Sequence, residues 1–131
     1  MTVFVDTSAF YALASLSDEF HEEAKEKYRH LLDKGITLFT SSGVLIETMA
    51  LIQRRLGFDI LIDFINAIGG IIKIVWITED IYQKAWKKMA EGTNEQISIV
   101  DWTSFEIMRD MNMERTFSFD VHFHQQGFLL L

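Results

Sequence analysis

The stretch Val3-Phe4-Val5-Asp6-Thr7-Ser8 decides the fold. Three consecutive apolar residues, two of them β-branched, read as a strand buried on both faces, the habit of parallel sheets. The acid and the two hydroxyls that follow end that strand in a polar turn. Asp6 therefore stands at the carboxyl end of a strand, the edge at which open α/β sheets hold their ligands. Taken alone, Asp6 could equally cap a following helix.

Working outward, proline is absent, so glycine and Ser/Thr/Asp mark the element boundaries. Val3–Val5 is the first strand and Ala9–Leu16 a short helix. From Asp18, apolar residues recur at helical period through Phe20, Ala24, Tyr28, Leu31 and Leu32, with Gly35 as a stop. Ile36–Thr40 is a second strand. Ser41 and Ser42 are candidate caps for a helix from about Val44 to Leu56, and Phe58–Ile68 is a further helix. Ile71–Ile77, rich in β-branched residues, is a third strand. Thr78 caps a helix that ends near Gly92. Ser98-Ile99-Val100-Asp101 matches a capping box and opens a helix carrying Phe105, Met108 and Met111. Thr116–Phe119 and Phe128–Leu131 are short strands. Strands alternating with helices, several apolar throughout, predict a three-layer α/β/α sandwich on a mostly parallel sheet.

The chain of 131 residues is expected to form one domain, 1–131. With 49% hydrophobic and 24% charged residues it has a globular composition. Cysteine is absent, which excludes a disulfide framework, a thiolate metal site and a Cys nucleophile, and suits a cytoplasmic protein. No basic segment precedes Val3, so no signal peptide is expected. The apolar run from Ile68 to Ile77 is broken by Gly69, Gly70 and Lys73, so no membrane span is expected. The net charge of −7 argues against a simple nucleic-acid coat protein. It leaves room for a nuclease, because carboxylates that hold cations carry negative formal charge that the metal offsets. It also suits a basic protein partner.

Three further acids repeat the setting of Asp6. Glu47 lies in the first turns of the helix after strand two, Asp101 in the first turn of its helix, and Asp120 just after the strand at Thr116–Phe119. In a parallel sheet with helical crossovers, all four belong to one edge whatever the strand order. Each has a commoner meaning: Glu47 a favourable charge at a helix start, Asp101 half of a capping box, Asp120 a turn residue. Together they repel one another, and the usual compensation is a hard divalent cation with oxygen ligands.

The segments Val3-Phe4-Val5-Asp6-Thr7-Ser8-Ala9, Thr40-Ser41-Ser42-Gly43-Val44-Leu45-Ile46-Glu47, Ser98-Ile99-Val100-Asp101 and Phe117-Ser118-Phe119-Asp120-Val121-His122-Phe123 resemble the PIN-domain family. Within it they look like the VapC-type toxins of toxin–antitoxin systems. Gln126-Gly127-Phe128 is similar to the family's closing segment, so the resemblance spans nearly the whole chain. It implies a metal-dependent endoribonuclease with an antitoxin partner. Asp6, Glu47, Asp101 and Asp120 take the positions of the family's catalytic acids. Asp6 and Asp101 would be the core ligands of Mg²⁺, with Mn²⁺ as a substitute; Glu47 and Asp120 would bind through water or a second ion. Ser8 falls where the family has a hydroxyl beside the first acid. One departure is Trp102 directly after Asp101, where family members often carry a small residue.

His122 and His124 straddle Phe123 at strand spacing with no evident metal partner, so His122 is read as an RNA contact or a surface residue. Arg54 and Arg55 follow Glu47 on its helix and are candidate phosphate contacts; Lys87-Lys88 is a solvated face. Trp76, Trp86 and Trp102 are read as core or interface. The apolar helix Phe58–Ile68 suggests a homodimer and a groove for an antitoxin segment. Two other functions share parts of the pattern. A haloacid-dehalogenase-like phosphatase also opens with strand-then-Asp but needs a second Asp where this chain has Ser8. A non-catalytic RNA- or protein-binding module could use the same fold, though the intact set of acids speaks against it.

Overall fold

The computed structural model describes residues 1–131. Along the chain run β1 (Thr2–Val5), α1 (Thr7–Ala14), α2 (His21–Asp33), β2 (Thr37–Ser41), α3 (Ser42–Arg55) and α4 (Phe58–Ile68). Then follow β3 (Ile72–Val75), α5 (Glu79–Glu91), α6 (Ile99–Asp110), β4 (Arg115–Phe117), α7 (Val121–Gln125) and β5 (Leu129–Leu130). The strands form one sheet in the order β3-β2-β1-β4-β5, and every pairing is parallel.

β1 is central, and Val3, Phe4 and Val5 are fully buried, as its uninterrupted apolar run requires. Parallel crossovers are right-handed. The two that step from β1 to β3 therefore put α1–α4 on one face, and the crossover back to β4 puts α5 and α6 on the other. Packing agrees: α1 meets α2 and α3, α3 meets α4, and α5 meets α6. On the first face Phe10 meets Phe64 edge-on at 5.4 Å. On the second, Phe105 meets Phe123 edge-on at 5.0 Å and stacks on Phe128 at 5.9 Å.

This order places the topological switch between β1 and β4. The chain leaves β1 toward β2 on one side and returns to β4 on the other, so the loops after the two strands diverge and open a crevice at the carboxyl edge. The backbone N–H of Asp6 donates to Phe117 O across it at 3.1 Å.

Several boundaries differ from those expected. α1 starts at Thr7 rather than Ala9, because the Asp6 carbonyl already accepts from Ala9 N and Phe10 N. Asp18 starts no helix; its side chain accepts from Phe20 N at 2.9 Å and shapes the turn before α2. Ser41 caps α3 by accepting from Val44 N, whereas Ser42 Oγ accepts from Ile77 N across the sheet. β3 is shorter than Ile71–Ile77, since its pairing with β2 ends at Ser41↔Val75. β4 ends at Phe117, because Ser118 and Phe119 leave the ladder to build the turn around Asp6.

The strand spacing read into His122 and His124 is corrected: both lie on helix α7. Asp120 is its N-cap, accepting from His122 N at 2.9 Å, and Gly127 follows with φ +91°. No helix is long and apolar enough to cross a membrane.

Candidate active site

Asp6 occupies the cap position of α1 but makes no side-chain cap bond, so the capping alternative fails. Its side chain turns across the crevice instead. Oδ2 accepts from Ser8 Oγ and from Ser118 Oγ, both at 3.0 Å. The two hydroxyls are 3.1 Å apart and also take the backbone N–H groups of the next turn, Phe119 N on Ser8 Oγ and Asp120 N on Ser118 Oγ. The end of β1 and the start of the loop after β4 are thus knotted around one carboxylate. Sequence reasoning assigned Ser118 no role; its place two residues before Asp120, matching Ser8 two after Asp6, was the available signal.

Asp6, Glu47, Asp101 and Asp120 line one cleft of about 480 Å³, together with Thr7, Ser8 and Tyr11. Asp6 is the most enclosed of them, at 4% exposure; Glu47 stands at the open side. Asp101 completes a capping box with Ser98, accepting from Ser98 N at 3.2 Å through Oδ2 while Ser98 Oγ accepts from Asp101 N. The capping reading of Asp101 therefore holds alongside its place in the cleft.

The electrostatics show how crowded the charges are. Burial, with repulsion from Asp101, pushes Asp6 up to about 6 against the donors on Thr7, Ser118 and Ser8. Burial and then Asp120 raise Asp101, and burial raises Glu47 with a smaller push from Asp6. No Lys or Arg lines the cleft to offset them.

Metal-ligating atoms of Asp101, Asp120 and His122 lie within 4.8 Å of one another. His122 is a half-buried residue facing the acids, which corrects its reading as a surface group; His124 is exposed. His122 Nδ1 sits 2.9 Å from Asp120 Oδ1 without the alignment of a hydrogen bond, and is left buried with no partner. Crowded carboxylates without a cationic side chain, beside an orphaned imidazole nitrogen, fit a divalent cation. Asp6 stands outside this tightest group of ligand atoms.

Arg55 places its guanidinium 5.7 Å over the ring of Tyr11 at the cleft wall, whereas Arg54 is simply exposed. Trp102 packs edge-on against Phe105 at 5.5 Å and does not line the cleft. Trp76 and Trp86 are exposed rather than core, at 67% and 50%.

The PIN domain matches residues 3–129. The 23S rRNA-specific endonuclease VapC20 of Mycobacterium tuberculosis, from strains CDC 1551/Oshkosh and H37Rv, is 30% identical over 128 residues, covering 97% of this chain and 95% of the relative. The crystal structure of that VapC20, described as a sarcin–ricin loop cleaving toxin, superposes with a TM-score of 0.86 at 29% identity, over 97% of this chain and 96% of the other. VapBC2 from Rickettsia felis, bound to a DNA fragment from its promoter, shares the fold at a TM-score of 0.67 and 12% identity, over 100% and 98% of the two chains. The chain belongs to the PIN-domain family and, within it, to the VapC-type nucleases.

Proposed function

We propose that this protein is a divalent-metal-dependent endoribonuclease and the toxin of a toxin–antitoxin pair. The observation that carries the proposal is the convergence of Asp6, Glu47, Asp101 and Asp120 on one cleft at the switch between β1 and β4. Asp6 and Asp101 are assigned as principal ligands of Mg²⁺, or of Mn²⁺ in its place, with Glu47 and Asp120 as secondary ones. A cation bound there supplies a nucleophilic water at neutral pH and neutralises the charge that develops on the phosphate. Ser8 and Ser118 hold the Asp6 carboxylate in place. Ser8 also stands where a dehalogenase-like phosphatase would need its second acid, so that reading is set aside.

RNA is the substrate class, and the named target of VapC20 makes large-subunit ribosomal RNA the first candidate. Arg55, braced on Tyr11 at the cleft wall, is assigned to a substrate phosphate in preference to Arg54. Residues 1–131 act as one domain in the cytoplasm.

An antitoxin segment is assigned to the apolar cleft of about 400 Å³ lined by Phe10, Leu13, Leu16, Tyr28, Ile60 and Phe64. Phe58 and Ile62 of α4, 62% and 41% exposed, extend the apolar surface and suit a homodimer. A monomeric mass by light scattering at micromolar concentration would remove the dimer from this reading.

The substrate is tested by incubating the protein with intact ribosomes, naked ribosomal RNA and single- and double-stranded DNA in Mg²⁺ or Mn²⁺. A discrete internal cut in RNA alone is expected. Cleavage of DNA only, or of no nucleic acid, contradicts the proposal.

A further inference from the structure

Beside this cleft, the group that most needs an explanation is His122, which adjoins the lining acids Asp101 and Asp120. Its Nδ1 is enclosed and has no hydrogen-bond partner, although Asp120 Oδ1 is only 2.9 Å away. A buried imidazole nitrogen without a partner is costly. A hydrogen bond to Asp120 would be the ordinary remedy, but the two groups are not aligned for one. The same Asp120 oxygen accepts the backbone N–H of His122 at 2.9 Å. Helix α7 is therefore started by the same carboxylate oxygen that its second residue's ring approaches sideways.

One separation is that of neighbouring ligands in a coordination polyhedron. Two neighbouring ligands of an octahedral cation, each at ~2.1 Å, are ~3.0 Å apart, and opposite ones ~4.2 Å. His122 Nδ1 and Asp120 Oδ1 have the separation of neighbours, and the ligand atoms of Asp101, Asp120 and His122 all fall within 4.8 Å, close enough for small side-chain shifts to gather them on one ion. The two acids come from different elements, Asp101 fixed by its bond from Ser98 N and Asp120 by its cap on α7. Asp120 and His122 share the cap turn of α7, and tertiary structure brings Asp101 to them.

We infer that His122 Nδ1 is a direct ligand, with Asp101 and Asp120, of a divalent cation in this cleft, and that the position favours Mn²⁺ over Mg²⁺. The inference rests on the metal-dependent reading above; it makes Asp120, a secondary ligand in that reading, a direct one and adds a nitrogen donor to what is otherwise an oxygen site. Mg²⁺ favours oxygen donors and retains its waters, whereas an imidazole donor raises affinity for first-row transition ions. His124, two residues on and exposed, takes no part.

Electron-spin-echo spectroscopy of the Mn²⁺-loaded protein, without RNA, tests this directly. A coordinated ¹⁴N signal is expected in the wild type and in His124→Asn, and its loss is expected in His122→Asn. Asparagine can offer an oxygen close to where Nδ1 lies. Calorimetric titration of His122→Asn should therefore show Mn²⁺ affinity lowered by about tenfold or more and Mg²⁺ affinity within about threefold of wild type. Absence of the ¹⁴N signal in the wild type overturns the inference. So does its persistence in His122→Asn, or an equal loss of both metals, which would make His122 only a positioning residue for Asp120. If the wild type lacks the signal but still cuts RNA, and Asp6→Asn does not, this inference alone fails. If no metal binds at all, the metal-dependent reading fails with it.

Discussion

Ser118 Oγ donates to Asp6 Oδ2 at 3.0 Å, tying the loop after β4 to the end of β1 across 112 residues of chain. The same hydroxyl accepts the backbone N–H of Asp120 at 3.0 Å. One side chain, only 2% exposed, thus sets both the deepest acid of the cleft and the turn that carries another. Ser118→Ala removes a donor from Asp6 and leaves the Asp120 N–H without its acceptor. A loss of about 1–3 kcal/mol in urea unfolding is expected, together with a fall in kcat larger than any rise in KM. Wild-type stability and kcat in this variant would show that the knot does not position the acids.

Asp6 itself should be a burden to the metal-free fold. Its pKa is raised from 3.8 to about 6. A carboxyl raised on folding favours the folded state at low pH, and that advantage is lost as pH climbs through the folded value. At pH 7 the cost is on the order of 3 kcal/mol. Asp6→Asn, measured in EDTA, should therefore melt several degrees above wild type at pH 7 and show little or no gain near pH 4. A lower midpoint at pH 7 would mean that the carboxylate is compensated without a cation.

The same shifts govern metal binding. Asp6, Asp101 and Glu47 are all raised, so a cation must displace protons from them as pH falls. Mg²⁺ affinity should decline on acidification below about pH 6, by about tenfold per pH unit for each linked proton. Calorimetry in two buffers of different ionisation enthalpy should record proton release at pH 5.5 and less at pH 8. Affinity that is flat from pH 5 to 8 would contradict this.

The two neighbouring arginines should separate in function. Arg55 lies over Tyr11 at the cleft wall, and Arg54 has no such placement. Arg55→Ala should raise KM for RNA several-fold and reduce the salt slope of binding by about 1, as loss of one phosphate contact does. Arg54→Ala should leave both unchanged. Equal effects, or the reverse order, would remove Arg55 from the substrate path.

The sheet was legible because its central strand is apolar on both faces and its glycines and caps punctuate the crossovers. The meeting of the four acids was legible for the same reason: each follows a strand or opens a helix, and parallel topology sends all such positions to one edge. What the chain did not disclose depended on side-chain direction. Ser118 and Phe119 read as strand, but they leave the ladder to close on Ser8 and Asp6. His122 and His124 alternate about a buried Phe123 just as strand residues would, and only the cap from Asp120 makes α7 a helix that turns one inward and the other outward. Asp6 showed the opposite case. Its position is that of a cap, yet its carboxylate makes no cap bond and accepts instead from the hydroxyls of Ser8 on α1 and Ser118 after β4.

The most direct test is single-turnover cleavage of a ribosomal RNA fragment by metal-stripped protein, titrated with Mg²⁺ and repeated with Asp6→Asn. Even an outer partner of a metal ligand is worth ~10–100-fold, so the variant should be slower than wild type by more than ~100-fold at saturating Mg²⁺. The wild type should be silent in EDTA and recover fully on adding the ion. Cleavage that persists in EDTA, or an Asp6→Asn rate equal to wild type, would show that the carboxylate cleft is not the catalytic centre.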